Sequence, residues 1–299
     1  MSAQGTIRRY TLEIEKISSY RYPSFQVLQN FLHDHGLEIS KRTLQRDIED
    51  IRYEFGVDIK YDRNKRGYYI DIENSPEFDT LLHFLELVNT ADIISESISE
   101  SKKALKYISF EGNGSFKGTE YLRDLLYAIL NQRKIAFLHK SFTAEAPKER
   151  VLYPYLLKEY QNRWYIVGFL PNDEFRIFGI DRIETLKVTT ETFKHKARFN
   201  ANDLFDNTIG VSTDGSRPSE VILNFSAKQA KYIQTLPLHP SQMIVKETRQ
   251  SVTVSLSLVI NLELVQKILS FGDKVKVISP QRLRFHVTQT LRNTLAQYK

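Results

Sequence analysis

The sequence predicts an α+β protein of several domains, and three observations predict it. Over the first 55 residues apolar positions recur at helical spacing, and directly after Gly56 the period changes to two. Between residues 134 and 190 five short β-type runs follow one another, separated by turn residues. From Ser219 onward strand-like and helix-like runs alternate. A chain of 299 residues has enough length for two or three separate cores.

The first helix covers about Thr6 to Ser19, with Ile7, Tyr10, Ile14 and Ile17 on one face. Pro23-Ser24 starts a second, whose apolar face is Phe25, Leu28, Phe31 and Leu32 and which stops at Gly36. Ser40 stands at the N-cap of a third helix, which runs to about Phe55 with Gly56 just past its end. Val57, Ile59 and Tyr61 then alternate with polar residues, Asp62 to Gly67 makes a turn, and Tyr68-Tyr69-Ile70 returns as a second strand. Three helices followed by a hairpin with a basic tip describe a winged helix-turn-helix over residues 1–72.

Residues 74–110 keep a helical pattern, and across 72–116 three basic residues stand against eight acidic ones. An acidic helical connector is therefore expected over 73–116, broken by Glu111-Gly112-Asn113-Gly114-Ser115. The next domain, 117–200, opens with a helix from about Thr119 to Asn131. Its β-type runs at 134–140, 149–156, 163–170, 174–180 and 183–190 suggest a small, partly closed barrel. Residues 201–299 read as a small α+β domain, with strands at 219–225, 242–247 and 251–260 and helices at 226–234, 261–270 and 280–297.

Composition removes several function classes. With 41% hydrophobic and 26% charged residues the chain is not mostly disordered. No stretch approaches the roughly 20 apolar residues of a spanning helix. Arg8, Arg9, Glu13, Glu15 and Lys16 interrupt the N-terminus where a signal peptide is apolar, so a cytoplasmic location is expected. The absence of cysteine excludes disulfides, thiolate metal centres and cysteine nucleophiles. There is no phosphate loop, hydrolase serine elbow or zinc-peptidase motif. Gly112 and Gly114 lack the third glycine of a dinucleotide fingerprint, and His33 and His35 point to different helix faces. No enzyme activity, catalytic residue, metal or cofactor is expected. The net charge of +6 suits a polyanionic partner, and the excess lies mostly beyond residue 117.

Leu44, Ile48, Ile51 and Phe55 share one stripe of the third helix, within about 60° of arc. Arg42, Arg46, Glu49 and Tyr53 lie opposite, with Gln45 on the flank. The stripe is expected to pack on the first two helices and to leave the other face for the major groove of DNA. Arginine and glutamine reach base edges with two hydrogen bonds at once. The N-terminal part of such a helix reads bases, which singles out Lys41, Arg42, Thr43, Gln45 and Arg46. Arg63, Lys65 and Arg66 at the hairpin tip suit phosphates, where they add affinity but little sequence choice. Against this stand Asp47, Asp50 and Glu54, which lower the local positive charge, and the plainer reading of a charged helix face as solvated surface.

The run Ser40-Lys41-Arg42-Thr43-Leu44-Gln45-Arg46-Asp47-Ile48, followed by a strand and a Gly-Tyr-Tyr hairpin, resembles the winged-helix heads of DeoR-like and WYL-family regulators. Asn162-Arg163-Trp164-Tyr165-Ile166-Val167-Gly168 resembles the motif that names the WYL family, with Ile166 in place of leucine. Arg150-Val151-Leu152-Tyr153-Pro154 looks like the family's upstream Arg-x-x-x-Pro strand, and Arg176 to Ile183 like its downstream Arg-x-Phe-x-x-Asp-Arg-Ile strand. From Ser219, and most clearly at Ile268 to Asp273, the chain resembles the winged C-terminal extension of such proteins. The resemblance implies an Sm/SH3-like β-barrel with a basic ligand site for nucleotides, single-stranded nucleic acid or related anions.

Arg150, Arg176 and Arg182 come from three separate strands, and converging cations favour a phosphate or other polyanion. Tyr165, Tyr153 and His139 are candidates for stacking on bases or for hydrogen bonding. Each also has a structural reading. Trp164 and Tyr165 alternate, so one faces the core, and the lone tryptophan suits that place better. Arg182 beside Asp181 reads equally as a surface ion pair, and a strand histidine such as His139 is more often structural. The expected protein is a ligand-responsive transcription regulator that binds double-stranded DNA as a homodimer and senses a nucleotide, single-stranded nucleic acid or other anion. The alternatives are a barrel that itself binds nucleic acid within a larger assembly and, more remotely, a nucleotide-processing enzyme.

Overall fold

A computed structural model describes residues 3–20, 22–76, 78–100, 117–213 and 215–298. Among them are eight α-helices and three antiparallel sheets, so the chain mixes α and β structure as expected. It divides into two compact units, residues 1–110 and 111–299.

The first unit runs α1 (Ala3–Ser19), α2 (Phe25–Asp34), α3 (Lys41–Phe55), β1 (Ile59–Asp62), β2 (Gly67–Ile70) and α4 (Phe78–Glu100). Local chemistry sets the ends. The Ser24 side chain accepts from the Val27 N–H and that of Ser40 from the Thr43 N–H, each satisfying an orphan donor of a first helical turn. Gly56 ends α3 at φ 66°, a left-handed conformation that a Cβ would penalise. Ile14, Leu28, Leu32, Leu44, Ile51 and Val57 form the centre of the core. Phe78, Leu81 and Leu85 of α4 join it, so the start of the expected connector is part of the head's own packing. The connector beyond Glu100 and the glycine-rich break at 111–115 lie outside the described residues.

β1 and β2 pair with Asp62 opposite Gly67. The hairpin is tied to the α1–α2 turn, because the Tyr68 N–H donates to the Pro23 carbonyl at 2.9 Å. Gly67 permits this approach: a Cβ there would stand 2.0 Å from the Tyr22 carbonyl oxygen.

The second unit opens with α5 (Leu122–Leu130), then β3 (Arg133–His139), β4 (Lys148–Tyr160), β5 (Arg163–Phe169), β6 (Phe175–Gly179) and β7 (Ile183–Thr192), in the sheet order β6-β5-β4-β3-β7. β4 serves twice. Lys148 to Leu152 pair with β3, Tyr153 to Tyr160 pair with β5, and the register shifts between Pro154 and Leu156. β6 and β7 are opposite edges, yet only Ile180 to Arg182 join them. That link spans at most about 14 Å, whereas the edges of a flat five-stranded sheet lie about 19 Å apart. The sheet must therefore curl, but the β6–β7 seam carries no strand pairing, so the expected barrel is not a closed one. Its core is Leu125, Ile135, Phe137, Leu152, Ile166 and Phe178, with Trp164 packed against the edge.

The rest of the unit is β8 (Ser219–Ser226), α6 (Ala227–Thr235), β9 (Met243–Glu247), β10 (Ser251–Leu258), α7 (Leu262–Leu269), β11 (Val275–Ser279) and α8 (Gln281–Ala296). The four strands order as β11-β8-β10-β9, and alternation along β8 and β10 buries Val221, Leu223, Phe225, Val254 and Leu256 with Leu264, Ile268 and Leu283. β11 is an element that sequence periodicity did not assign.

Candidate nucleic-acid face and ligand cleft

α3 buries Leu44 and Ile51 completely, with Ile48 nearly so, and exposes Lys41, Arg42, Gln45 and Arg46. Thr43 is half-buried, its hydroxyl 2.9 Å from that of Ser40. Tyr53, on the outer face, is 93% exposed. The acidic residues behave differently from expectation. Asp47 is fully buried and accepts from Arg9 Nε at 2.6 Å and Nη2 at 2.9 Å, while Arg9 is itself only 2% exposed. Asp50 accepts from the Tyr10 hydroxyl at 3.0 Å. Two of the helix's four carboxylates thus turn toward α1, while Glu49 and Glu54 stay exposed and Arg46 lies 3.8 Å from Asp47, so the outer face of α3 is less acidic than its sequence suggests. Glu13 is buried beside them, and burial, reinforced by the Asp47 charge, pushes its carboxyl well above the ordinary 4.5. Both influences favour its protonated form.

Arg63, Lys65 and Arg66 are exposed at the hairpin tip. Asp62 shapes that turn by accepting from the N–H groups of Asn64 and Lys65. The Lys65 ammonium lies 3.8 Å from the centroid of the Tyr22 ring.

In the second unit a cleft of about 850 Å³ lies between β5–β6 and the start of α7. Tyr165, Arg176, Arg182 and Phe142 line it from the first half of the unit, and Ser212, Asn261 and Glu263 from the second. Arg182 folds over Gly179, where a Cβ would come within 2.8 Å of its Nη2. Its guanidinium carbon is 4.6 Å from the Phe142 ring centroid, and it stands 3.8 Å from Asp181. The buried Nε of Arg182 has no hydrogen-bond partner, so the ion pair leaves it unsaturated. Arg176 is paired with the neighbouring Glu174. Burial, as the larger of several influences, holds the Tyr165 hydroxyl above its usual tyrosine value, and it stays protonated.

Three of the six expected ligand residues therefore line the cleft, and three do not. Arg150 sits on β4 opposite Phe137. His139 is buried among rings, with centroids 4.9 Å from Phe178 and 6.4 Å from Phe137. Burial first, then the charges of Arg182 and Arg150, push its imidazole down to about 4, so it is neutral. Tyr153 stacks on Phe193 at 5.3 Å, and Lys134 lies 5.3 Å from its ring centroid. Tyr155 tilts on Phe193 and meets Phe169 and Phe199 edge-on. These rings pack on one another.

Sequence reading missed Glu263. Its Oε1 accepts from the Ser212 N–H at 2.9 Å and hydroxyl at 2.7 Å, and from the Val211 N–H at 3.3 Å. Gly210, at φ 86°, makes room for it, since a Cβ there would come 2.6 Å from the Glu263 Cγ. No sequence signal marks it, because its partners are some 50 residues away in an irregular segment. Among the described residues no cluster of three or more His, Cys, Asp or Glu is arranged to hold a metal, and no helix is long and apolar enough to cross a membrane.

Residues 120–188 match the WYL domain and residues 217–295 the WCX domain. The first covers the curled sheet and the second the four-stranded C-terminal sheet with its helices. The chain is thus a WYL-domain protein that also carries a WCX domain. Similar solved structures include Proteasome accessory factor B/C (PafBC) of Arthrobacter aurescens, at 17% identity and TM-score 0.32, over 97% of this chain and 47% of that one. A CRISPR Cas-related protein aligns at 11% identity and TM-score 0.39, over 98% of this chain and 84% of that one. The chain thus spans about half the length of the PafBC chain, and at these scores neither likeness carries an argument. No curated protein matches the sequence.

Proposed function

We propose that this protein is a ligand-responsive transcription regulator. Its first unit is a winged helix-turn-helix that places α3 in the major groove of operator DNA, with the β1–β2 hairpin as the wing on the phosphates. The curled WYL sheet is an Sm-like open barrel, and the cleft beside it takes a small anionic ligand, a nucleotide or short single strand. The protein acts as a homodimer on an inverted repeat, without catalysis and in the cytoplasm.

The observation that carries this reading is the outer face of α3. Lys41, Arg42, Gln45 and Arg46 are exposed there beside Glu49, while Asp47 and Asp50 face inward, so a mainly basic, hydrogen-bonding surface stands opposite the packed one. Side chains of these types discriminate bases by about 1–3 kcal/mol for each two-bond contact. Replacing Arg42 and Arg46 singly by alanine is expected to weaken binding to a duplex selected from a random pool by about tenfold each and to relax sequence preference at defined positions. Binding measured by fluorescence anisotropy that is unchanged in both variants counts against α3 as the reading element.

A further inference from the structure

Glu263 is 8% exposed, and its two carboxyl oxygens are used unequally. Oε1 takes three donors from Val211 and Ser212, which fixes the side chain and pins the 211–212 segment to α7. Oε2 is buried and has no hydrogen-bond partner. Holding the loop explains Oε1 and leaves Oε2 without a structural use. A buried acceptor without a donor is costly, and Glu263 lines the cleft, so a ligand seated there is placed to supply the missing donor. The same cleft presents the guanidinium of Arg182, with an unpartnered buried Nε, and the rings of Tyr165 and Phe142. Cations for an anion, aromatic faces for a planar ring and an acceptor for an N–H group are thus gathered around one space of about 850 Å³, the size of a small-ligand site.

Resting on the reading that this cleft takes an anion, we propose that Glu263, from the WCX half, selects the base of a nucleotide ligand by accepting from its exocyclic amino group. The phosphate lies toward Arg182, and the amino group donates to Oε2. An oxo group in that place would set one acceptor against another, so amino bases bind in preference to their oxo counterparts. The ring itself matters less than the donor on it.

The test is isothermal titration calorimetry of the full chain with two pairs of nucleoside monophosphates, CMP with UMP and AMP with IMP. Each pair differs by amino against oxo at the discriminating position. The amino member is expected to bind about tenfold tighter or better in at least one pair, as for a hydrogen bond to a charged acceptor. Glu263→Gln makes the sharper prediction. Ser212 and Val211 donate, so the amide oxygen takes the place of Oε1 and the amide nitrogen, a donor, takes that of Oε2. The preference then reverses toward UMP or IMP, whereas a merely structural role leaves the ratio unchanged. Arg182→Ala is expected to weaken all four ligands together. Equal binding within both pairs, unaltered by Glu263→Gln but lost in Arg182→Ala, overturns the role of Glu263 and leaves the anion site standing. Failure of all four to bind the intact protein, confirmed as folded by circular dichroism, overturns both.

Discussion

Arg9, Asp47 and Glu13 place three ionisable side chains inside the contact between α1 and α3. Arg9 and Asp47 compensate one another through two hydrogen bonds, and removing either partner of such a pair costs about 3–5 kcal/mol, mostly by stranding the other. Glu13 is the third member, and its raised affinity for the proton belongs to the folded state alone. Folding therefore holds a proton that the unfolded chain releases above the ordinary value near 4.5. The stability this supplies is complete below that value and falls by about 1.4 kcal/mol per pH unit as pH rises toward the folded value. Glu13→Gln is expected to remove that slope and to be more stable than the parent at alkaline pH, as read by urea unfolding at a series of pH values. A parent whose stability rises from pH 5 to 8 as steeply as its variant contradicts a raised proton affinity of Glu13 in the fold. At this scale the sequence was only half legible. The stripe of Leu44, Ile48 and Ile51 could be read because burial follows helical period, but the inward turn of Asp47 could not. It depends on Arg9, 38 residues away, and α1 offers only the i, i+4 spacing of Arg9 and Glu13 beside its apolar face as a hint.

Elements whose ends rest on local chemistry were the easiest to foresee. Ser24, Ser40 and Gly56 act within one turn of the chain, so α2 and α3 begin and end where their caps say. β11 escaped because it is only five residues long: Val275, Lys276 and Val277 alternate, but the exposed apolar Ile278 ends the pattern after three residues. α4 was legible as a helix but not as part of the head, since period alone does not say which core receives an apolar face. The hairpin depends on a contact between elements. Gly67→Ala forces a Cβ against the Tyr22 carbonyl and must shift the hairpin away from the α1–α2 turn. The expected result is a loss of about 1–3 kcal/mol in stability, together with weaker, less salt-dependent duplex binding as the basic tip moves. A melting temperature and duplex affinity equal to the parent's would show that this close approach does not position the hairpin.

Over the whole molecule, the two units carry different parts of the account. The first carries the exposed basic face of α3 proposed to read DNA, and the second holds the cleft, which combines residues from Phe142 to Glu263. That span explains why motif reading found the WYL side of the cleft but not the other side. Tyr165, Arg176 and Arg182 lie in segments with a recognisable pattern, whereas Glu263 sits in the first turn of an ordinary amphipathic helix. A ligand in the cleft regulates DNA binding only if its affinity differs between the DNA-competent and DNA-incompetent arrangements, and by linkage DNA then changes ligand affinity by the same factor. The most direct measurement is the affinity for a selected duplex as a function of salt, by fluorescence anisotropy, for the intact chain and for a chain lacking residues 1–110. The account predicts tight duplex binding by the intact protein, with a log–log salt slope of about −0.9 for each phosphate contacted, and its disappearance in the shortened chain. Equal binding by both chains, or a preference for single strands that survives the deletion, would contradict it and place the nucleic-acid site in the second unit.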